Sequence, residues 1–329
     1  MKDLINFIEK TKFLEDNIIK SEDIFSINLT NSIESKLTRE EYITTYYIVG
    51  EYVKALGFTR EKKISLSKFY YDYTDEIFKT KIKNDFIKKF ISVTSLPSKA
   101  YYQYKVKNFD EAINLTIQSI NIDHFLENEY DINILHMHKV QQVHNLARIF
   151  YGRNMYVEWA DYIKQMLNYL INMKKPSYLK ENWKSSSIEQ SDIVLRKRMI
   201  MQLLNETIYF CSVNQNSQQF NFNKFISHIL NIENTEFNLF KQLKMWGEIK
   251  KLLYSRDNSS NLENQIIHFF KQKNDYVPLS RLKLSIINDL KDCIAYEYKD
   301  QFLSCLDKNS GIPNSISNNS SKTKSFGKI

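Results

Sequence analysis

Histidine is the side chain in this sequence best suited to chemistry near neutral pH, and four of the six histidines lie within 21 residues: His124, His136, His138 and His144. Imidazole binds transition metals and transfers protons. Two helical ligands of one metal ion need a spacing of three or four residues, whereas His136 and His138 point about 200° apart. His136 and His144 come within about 80° of one face but are two turns apart. Because no cysteine or pair of carboxylates completes a set, we predict no metal site and no cofactor.

Two acidic groups are the best candidates for an enzymatic site. They are Asp72, Asp75 and Glu76, and then Asn288, Asp289, Asp292 and Glu297. These groups loosely resemble the magnesium-binding motifs of the terpene synthases, which are all-α enzymes. The first group lacks adjacent aspartates, and the second has an aspartate for the usual serine and its glutamate one residue late. We therefore interpret both as solvated charged faces, with a helical enzyme as the remote alternative.

A central stretch has the small and aromatic positions that let two antiparallel helices pack closely. In AYYQYKVKNFDEAINLTIQSI these positions are Ala100, Phe109 and Ala112. A second stretch, LARIFYGRNMYVEWADYIKQML, places Ala147 and Tyr156 similarly, with a tryptophan at one small position. Both stretches resemble tetratricopeptide repeats, although they lie 47 residues apart rather than about 34. Either tandem repeats or an ordinary helical bundle agrees with this pattern.

The resemblance implies a concave face lined by the first helix of each pair. The residues at the matching positions are Tyr101, Tyr104, Gln141, His144, Arg148 and Tyr151. Flat aromatic rings and an arginine fork suit peptide capture, because they lose little entropy on binding. The alternative is that the tyrosines pack against a neighbouring helix.

Composition favours helices almost everywhere. The chain has 6 Gly and 4 Pro beside 21 Phe and 21 Tyr, and glycine provides the conformations that phosphate loops and tight turns require. Thr38 and Glu41 have the spacing of a capping box, and Gly57 and Gly152 are predicted helix ends. The periodicity predicts helices over residues 39–56, 67–92, 98–106, 109–122, 132–151, 157–173, from the Ser186 cap to 211, and over 222–232, 235–254, 262–273 and 279–306.

We expect one domain over residues 1–306, with a sub-boundary near residue 97 left open. Residues 176–187 form the best interior linker, because proline, serine and charge interrupt the helical pattern. Residues 307–329 are rich in Ser, Asn and Lys with little to bury, so we predict a disordered tail.

The net charge and the cysteine content indicate which partners and which cellular compartment to expect. The net charge is +8, but four lysines belong to the tail, which leaves about +4 on the body, a weak field. Two basic groups, with Lys79, Lys81, Lys83, Lys88 and Lys89 in one and Arg196, Lys197 and Arg198 in the other, have acidic neighbours. Nucleic acid is therefore not favoured. Three cysteines form no disulfide framework, and no stretch is apolar enough to span a membrane, so we predict a cytoplasmic protein.

The sequence thus predicts an all-α chain of stacked antiparallel helical hairpins, either a TPR-like α-solenoid or an irregular helical bundle. We expect a non-enzymatic scaffold or adaptor that binds a protein or peptide at its central face, and the alternative is a DNA-binding or regulatory protein. The final helix would cap the array or mediate self-association. Its apolar residues are Leu282, Leu284, Ile287, Leu290, Cys293 and Ile294.

Overall fold

The computed structural model of the chain describes residues 24–34, 36–174, 193–214, 238–254, 260–272 and 277–293, with Pro176 and Trp183 as single positions. Within these residues there are 11 helices and no strand, and 87% of the structure is helical. The prediction of an all-α fold of stacked helices is confirmed. The predicted helix at 222–232, the Ser186 cap and the tail at 307–329 lie outside the described residues.

The described helices are numbered here in chain order. They are α1 (Ile24–Glu34), α2 (Arg39–Arg60), α3 (Ile64–Lys81), α4 (Asp85–Lys105), α5 (Phe109–Tyr130), α6 (Leu135–Gly152), α7 (Tyr156–Asn172), α8 (Ile193–Asn214), α9 (Asn238–Tyr254), α10 (Ser260–Phe270) and α11 (Val277–Cys293).

The described residues form two compact units. Those up to Ile200 make the N-terminal unit, and those from Met201 make the C-terminal unit. Residue 97, where the sequence left a sub-boundary open, lies inside α4, which passes Pro97 without ending. The predicted helix at 67–92 is in fact two helices, because the chain leaves the helical conformation at Ile82 and Asn84 caps a new one. Asn84 Oδ1 accepts the Phe86 N–H at 3.0 Å.

Three hairpins make up most of the N-terminal unit: α2 with α3, α4 with α5, and α6 with α7. The first helices of the hairpins run in one direction. Asn84, at the start of α4, donates to Glu41 in the first turn of α2 at 3.2 Å, so these two helices begin side by side. The hairpins stack differently, since α4 contacts the preceding hairpin mainly through α2 whereas α6 contacts it mainly through α5.

The first hairpin buries small hydroxyl side chains where α2 meets α3. Thr59 and Ser67 hydroxyls are 2.5 Å apart, and the Ser67 hydroxyl also donates to the Ala55 carbonyl at 2.9 Å. Small residues let the helices approach closely, whereas two large rings of α3 lie outside. Phe69 is 61% exposed and Tyr73 is 44% exposed. Neither residue therefore belongs to the core stripe of α3, which does include Tyr71.

The turns between hairpin helices use non-glycine residues with positive φ. Lys62, Lys107, Asp131 and Asn154 all adopt left-handed backbone after a helix, which costs a side-chain-bearing residue roughly 1–2 kcal/mol. The predicted capping box of Thr38 and Glu41 is present. Gly57, in contrast, does not end α2, because the helix continues to Arg60 and packs Thr59 against Ser67. The predicted end at Gly152 is confirmed.

The C-terminal unit is built around α9, which packs against α10 and α11. Trp246, Phe269 and Ile286 are completely buried there. Leu282, Ile287 and Leu290 of α11 are also buried, so this face of the predicted self-association helix is already covered. The prediction of self-association remains untested.

Candidate functional site

Two helices of the N-terminal unit end beside each other and bring aromatic and basic side chains together. We call this surface the aromatic–basic end and define it by Tyr101, Tyr104, Lys105, Arg148 and Tyr151. The Tyr104 side chain of α4 reaches α6 so closely that a Cβ added to Gly152 would lie only 2.8 Å from the Tyr104 hydroxyl oxygen. The absence of a side chain at Gly152 is therefore what lets Tyr104 lie on α6.

The rings of α4 form one half of the aromatic–basic end. The Tyr101 and Tyr104 ring centroids are 6.3 Å apart, and the Lys105 ammonium lies 5.0 Å from the Tyr101 centroid and 5.7 Å from that of Tyr104. These distances are those of cation–π contacts. Burial, with the neighbouring hydroxyls of Tyr101 and Tyr151, raises the pKa of Tyr104, and the Arg148 charge opposes that rise. Tyr104 is thus a neutral phenol at physiological pH.

Arg148 and Tyr151 form the other half, on the last turns of α6. The Arg148 guanidinium donates to the Asn145 side-chain oxygen at 3.0 Å. The Tyr151 ring packs against Tyr156 and Trp159 at the start of α7, with centroid distances of 5.8 and 6.2 Å. Tyr101, Tyr104, Arg148 and Tyr151 are all half-buried, so each side chain is held by the protein and still reaches solvent.

The other two residues of the predicted concave face lie elsewhere on α6. Gln141 is half-buried, and its amide nitrogen lies 3.5 Å from the Asn145 side-chain oxygen. His144 is completely buried, because it sits on the face of α6 that also buries Val140 and Ala147. A partner at the surface cannot contact His144, and the aromatic–basic end leaves it out.

A buried ionic network lies deeper in the same unit, where α5, α6 and α7 meet. The Glu127 carboxylate accepts from His136 Nδ1 at 3.0 Å and forms an ion pair with Lys139. His136 Nε2 accepts from the Tyr169 hydroxyl at 2.7 Å, and the Lys139 ammonium lies 4.7 Å from the Trp183 ring centroid. Lys139 is 1% exposed, so this ion pair is fully withdrawn from water.

The pKa shifts in this network follow from burial and pairing. Burial disfavours the charged form of Glu127, but the contacts with His136 and Lys139 outweigh it and lower the pKa of Glu127 to about 2. Burial lowers the pKa of His136 despite Glu127. The arrangement therefore contains an ionised Glu127 and a neutral His136, whose Nδ1–H donates to the carboxylate.

A second buried pair joins α5 to α6. His138 Nδ1 lies 2.8 Å from Asp123 Oδ2, and Phe25 of α1 stacks on the His138 ring at a centroid distance of 4.9 Å. Asp123 is completely buried, and its Oδ1 atom has no hydrogen-bond partner. Burial raises the pKa of Asp123, although His138 and Lys139 oppose the rise.

The histidines are arranged as partners of acids and amides. His136 contacts Glu127, and His138 contacts Asp123 and Gln142. Among the described residues, no three His, Cys, Asp or Glu side chains converge in a way that could hold a metal ion. The sequence did not indicate these pairings, because the partners lie on α5, up to fifteen residues away along the chain.

The predicted acidic groups are divided among separate ion pairs. Asp72 pairs with Lys68 at 2.6 Å, and Glu76 pairs with Lys79 at 3.3 Å. Asp75 accepts from both Lys99 and Tyr52 at 2.5 Å. Asp289, of the second group, belongs to the C-terminal unit and pairs with Lys250, whereas Glu297 lies outside the described residues. Each of these four acids pairs with a different lysine. In the described part of the chain they therefore offer no shared ligands for magnesium.

The C-terminal unit also buries lysines. Lys250 pairs with Asp289, donates to the Ser285 carbonyl at 3.1 Å and lies 5.6 Å from the Trp246 ring centroid. Lys283 donates to the Phe270 and Gln272 carbonyls at 3.0 and 2.6 Å. Burial lowers the pKa of Lys283 to about 8. Lys283 therefore caps the C-terminal end of α10.

In the described part of the chain, no helix is both long enough and apolar enough to cross a membrane. A scan against known protein families, a search of curated proteins and a search of solved structures each found no match to this chain.

Proposed function

We propose that this chain is a non-enzymatic helical scaffold that binds an acidic segment of a partner protein at the aromatic–basic end. The observation that carries the proposal is that Tyr101, Tyr104, Arg148 and Tyr151, from two different helices, meet at one half-buried surface. Tyrosine and arginine are among the side chains that dominate binding energy at protein interfaces.

The geometry supports binding with little loss of entropy. Tyr104 is seated on Gly152, and Tyr151 packs on Tyr156 and Trp159. Side chains that are already ordered lose less freedom when a partner binds. The rings therefore form a preorganised platform for an extended peptide.

Charge supports an acidic partner. Lys105 lies over the two α4 rings, Lys107 follows in the turn, and Arg148 stands beside them. The nearby Asp110 pairs with Arg153 at 2.7 Å. An arginine fork binds a carboxylate through two parallel hydrogen bonds, which favours a segment with Asp or Glu beside apolar residues.

Peptide display against the full-length chain tests the proposal. We expect the selected peptides to be enriched in Asp and Glu. A synthetic peptide of the selected sequence should bind at least about tenfold more weakly to Arg148→Glu, since the change replaces an attraction by a repulsion. The matched control is Arg39→Glu, which makes the same change in charge at the start of α2, where α4 also begins.

Equal binding by wild type and Arg148→Glu would contradict the proposed site. Selection without acidic enrichment, together with heparin retention that survives Arg148→Glu, would favour the nucleic-acid alternative instead.

A pair of glycine variants tests the packing of the platform without altering charge. Gly152→Ala should displace the Tyr104 ring and weaken peptide binding severalfold, because overpacking forces side chains out of position. Gly50→Ala is the control, since a Cβ at Gly50 would meet no atom within 4 Å. Isothermal titration calorimetry with the selected peptide measures both variants. Unchanged binding by Gly152→Ala would show that Tyr104 is not part of the platform.

A further inference from the structure

We propose that the buried Asp123 and the half-buried His138 position the Arg148 guanidinium for binding through a one-directional chain of hydrogen bonds along α6. This inference rests on the proposed function, because it concerns how the aromatic–basic end is regulated. We call the series Arg148, Asn145, Gln142, His138 and Asp123 the α6 chain.

The α6 chain has four successive contacts of ordinary hydrogen-bond length. Arg148 donates to Asn145 Oδ1 at 3.0 Å, and Asn145 Nδ2 donates to Gln142 Oε1 at 3.1 Å. Gln142 Nε2 lies 2.9 Å from His138 Nε2, and His138 Nδ1 lies 2.8 Å from Asp123 Oδ2. The chain thus connects a solvent-accessible cation to a completely buried carboxyl group.

The direction of donation is set by the arginine. A guanidinium has only donors, so Asn145 must turn its oxygen toward Arg148 and its nitrogen toward Gln142. Gln142 then presents its nitrogen to His138, which accepts at Nε2 and keeps its proton on Nδ1 for Asp123. Gln141 also approaches Asn145 Oδ1 through its amide nitrogen at 3.5 Å, in agreement with this orientation of the Asn145 amide. Aligned hydrogen bonds of this kind strengthen one another.

The ionisable groups that face Asp123 belong to α5 and α6, and Tyr104 of α4 lies beside Arg148 at the other end of the chain. Asp123 faces His138, Lys139 and Glu127, and Lys139 is paired with Glu127. From α1, the ring of Phe25 stacks on His138. Lys139 and Glu127 balance each other, so the state of the α6 chain depends chiefly on Asp123 and His138.

Protonation of His138 would turn its Nε2 atom from a hydrogen-bond acceptor into a donor. The new N–H would face the Gln142 nitrogen, which is also a donor. Gln142 can rotate its amide to present its oxygen, but its nitrogen then faces that of Asn145. If Asn145 rotates in turn, its nitrogen faces the Arg148 guanidinium, which has no acceptor to offer. A proton on His138 therefore removes the Asn145 anchor of Arg148.

The experiment compares peptide affinity at pH 7.5 and 5.5 for full-length wild type and three variants, using the synthetic peptide obtained by display. For wild type we expect affinity to fall about tenfold at pH 5.5, the effect of losing one charge-assisted hydrogen bond that orders the guanidinium. Gln142→Met, which interrupts the chain at similar size, should bind weakly at both values. Gln118→Met is the matched control, because Gln118 is exposed on α5 and bonds only locally to Asn114.

Gln142→Glu separates positioning from a merely structural role. A carboxylate at this position accepts from Asn145 and also from a doubly protonated His138, so it keeps the Arg148 anchor in acid. We expect this variant to retain its affinity at pH 5.5. An equal loss of affinity in Gln142→Glu and wild type would overturn the proposal.

A second readout does not depend on peptide binding. Long-range ¹H–¹⁵N spectra of wild type should show the His138 proton on Nδ1 at pH 7.5, and a change in the protonation of His138 should shift the Asn145 side-chain amide signals. In Gln142→Met the Asn145 signals should no longer follow His138. A His138 proton on Nε2 at pH 7.5, or Asn145 signals that do not respond in wild type, would overturn the α6 chain. If the spectra agree but no peptide binds, the proposed function fails while the chain stands.

Discussion

Lys139 of the N-terminal unit and Lys283 of the C-terminal unit are buried in different surroundings, whereas Lys250 of the C-terminal unit pairs with a carboxylate, that of Asp289. In the N-terminal unit, Lys139 pairs with Glu127, which also binds His136. In the C-terminal unit, Lys283 donates to two backbone carbonyls at the end of α10. A carbonyl cannot change its charge, whereas a carboxylate and an imidazole can. Around Lys283 only the lysine itself can change its charge, whereas the N-terminal arrangement contains several groups that can gain or lose a proton.

This difference indicates where a response to protons can be built. The N-terminal network contains two acids and two histidines in contact, with one buried oxygen of Asp123 lacking a partner. An isolated buried charge costs much free energy, so neighbouring groups must compensate any change of protonation there. Through the α6 chain, such a change alters the hydrogen bond that holds Arg148. The C-terminal lysines have no comparable route among the described contacts.

Removing Lys139 should produce the largest effect. Lys139→Met leaves the Glu127 carboxylate buried without its cation, and breaking a buried pair from one side costs about 3–5 kcal/mol. The double variant with Glu127→Gln should be less destabilised than the single variant. Urea unfolding can be followed by ¹⁹F NMR of fluorotryptophan, because Trp159 and Trp183 lie in the N-terminal unit and Trp246 in the C-terminal unit. A cost below about 1 kcal/mol would contradict the pairing.

Removing Lys283 should have a smaller effect, confined to the other unit. Lys283→Met leaves two buried carbonyls without a donor, at a cost of about 1–3 kcal/mol. The Trp246 signal should report this loss in urea. If Lys283→Met were as costly as Lys139→Met, the distinction between a cap and an ion pair would fail.

The pH dependence of stability should differ between the units, with a small effect for each pH unit. His136 has a pKa below its ordinary value of 6.5, so the unfolded chain binds more protons, and the N-terminal unit loses stability as the pH falls through about 6.5. The lowered pKa of Glu127 adds a further loss between about pH 4.5 and 2. Each group contributes at most about 1.4 kcal/mol per pH unit.

Lys283 gives the C-terminal unit a response in the alkaline range. Its folded pKa is about 8, against an ordinary value of 10.5, so the unfolded chain binds more protons between these values and stability rises with pH there. His136→Gln should reduce the acid loss, and Lys283→Met should abolish the alkaline gain. Urea titrations at several pH values, read from the tryptophan signals, test both. Parallel pH profiles for the two units would refute the comparison.

Local features of the fold were predictable because their causes lie within a few residues. The capping box of Thr38 and Glu41 needs only adjacent turns of one helix. The end of α6 at Gly152 and the helical character of the chain follow from composition and period in the same way. The meeting of Tyr101, Tyr104, Arg148 and Tyr151 involved residues that the repeat-like pattern had singled out, although their role in binding remains a prediction.

Other features were not predictable from the residues alone. Phe69 and Tyr73 have helical spacing but are exposed, whereas Ser67, Tyr71 and Thr74 of α3 are buried. Burial of Lys139 depends on Glu127 of another helix. The spacing of the histidines describes their directions on one helix. It could not show which acids of the neighbouring helix face them.

The sequence by itself determined that the chain is all-α, where several of its helices begin and end, and which side chains are candidates for binding. Those properties depend on backbone preferences and short-range contacts. The tertiary structure alone decided which face of each helix is buried, which acid meets which base, and how Arg148 is connected to Asp123. Such contacts join residues on different helices, and their energies depend on burial and distance, which exist only once the helices have packed.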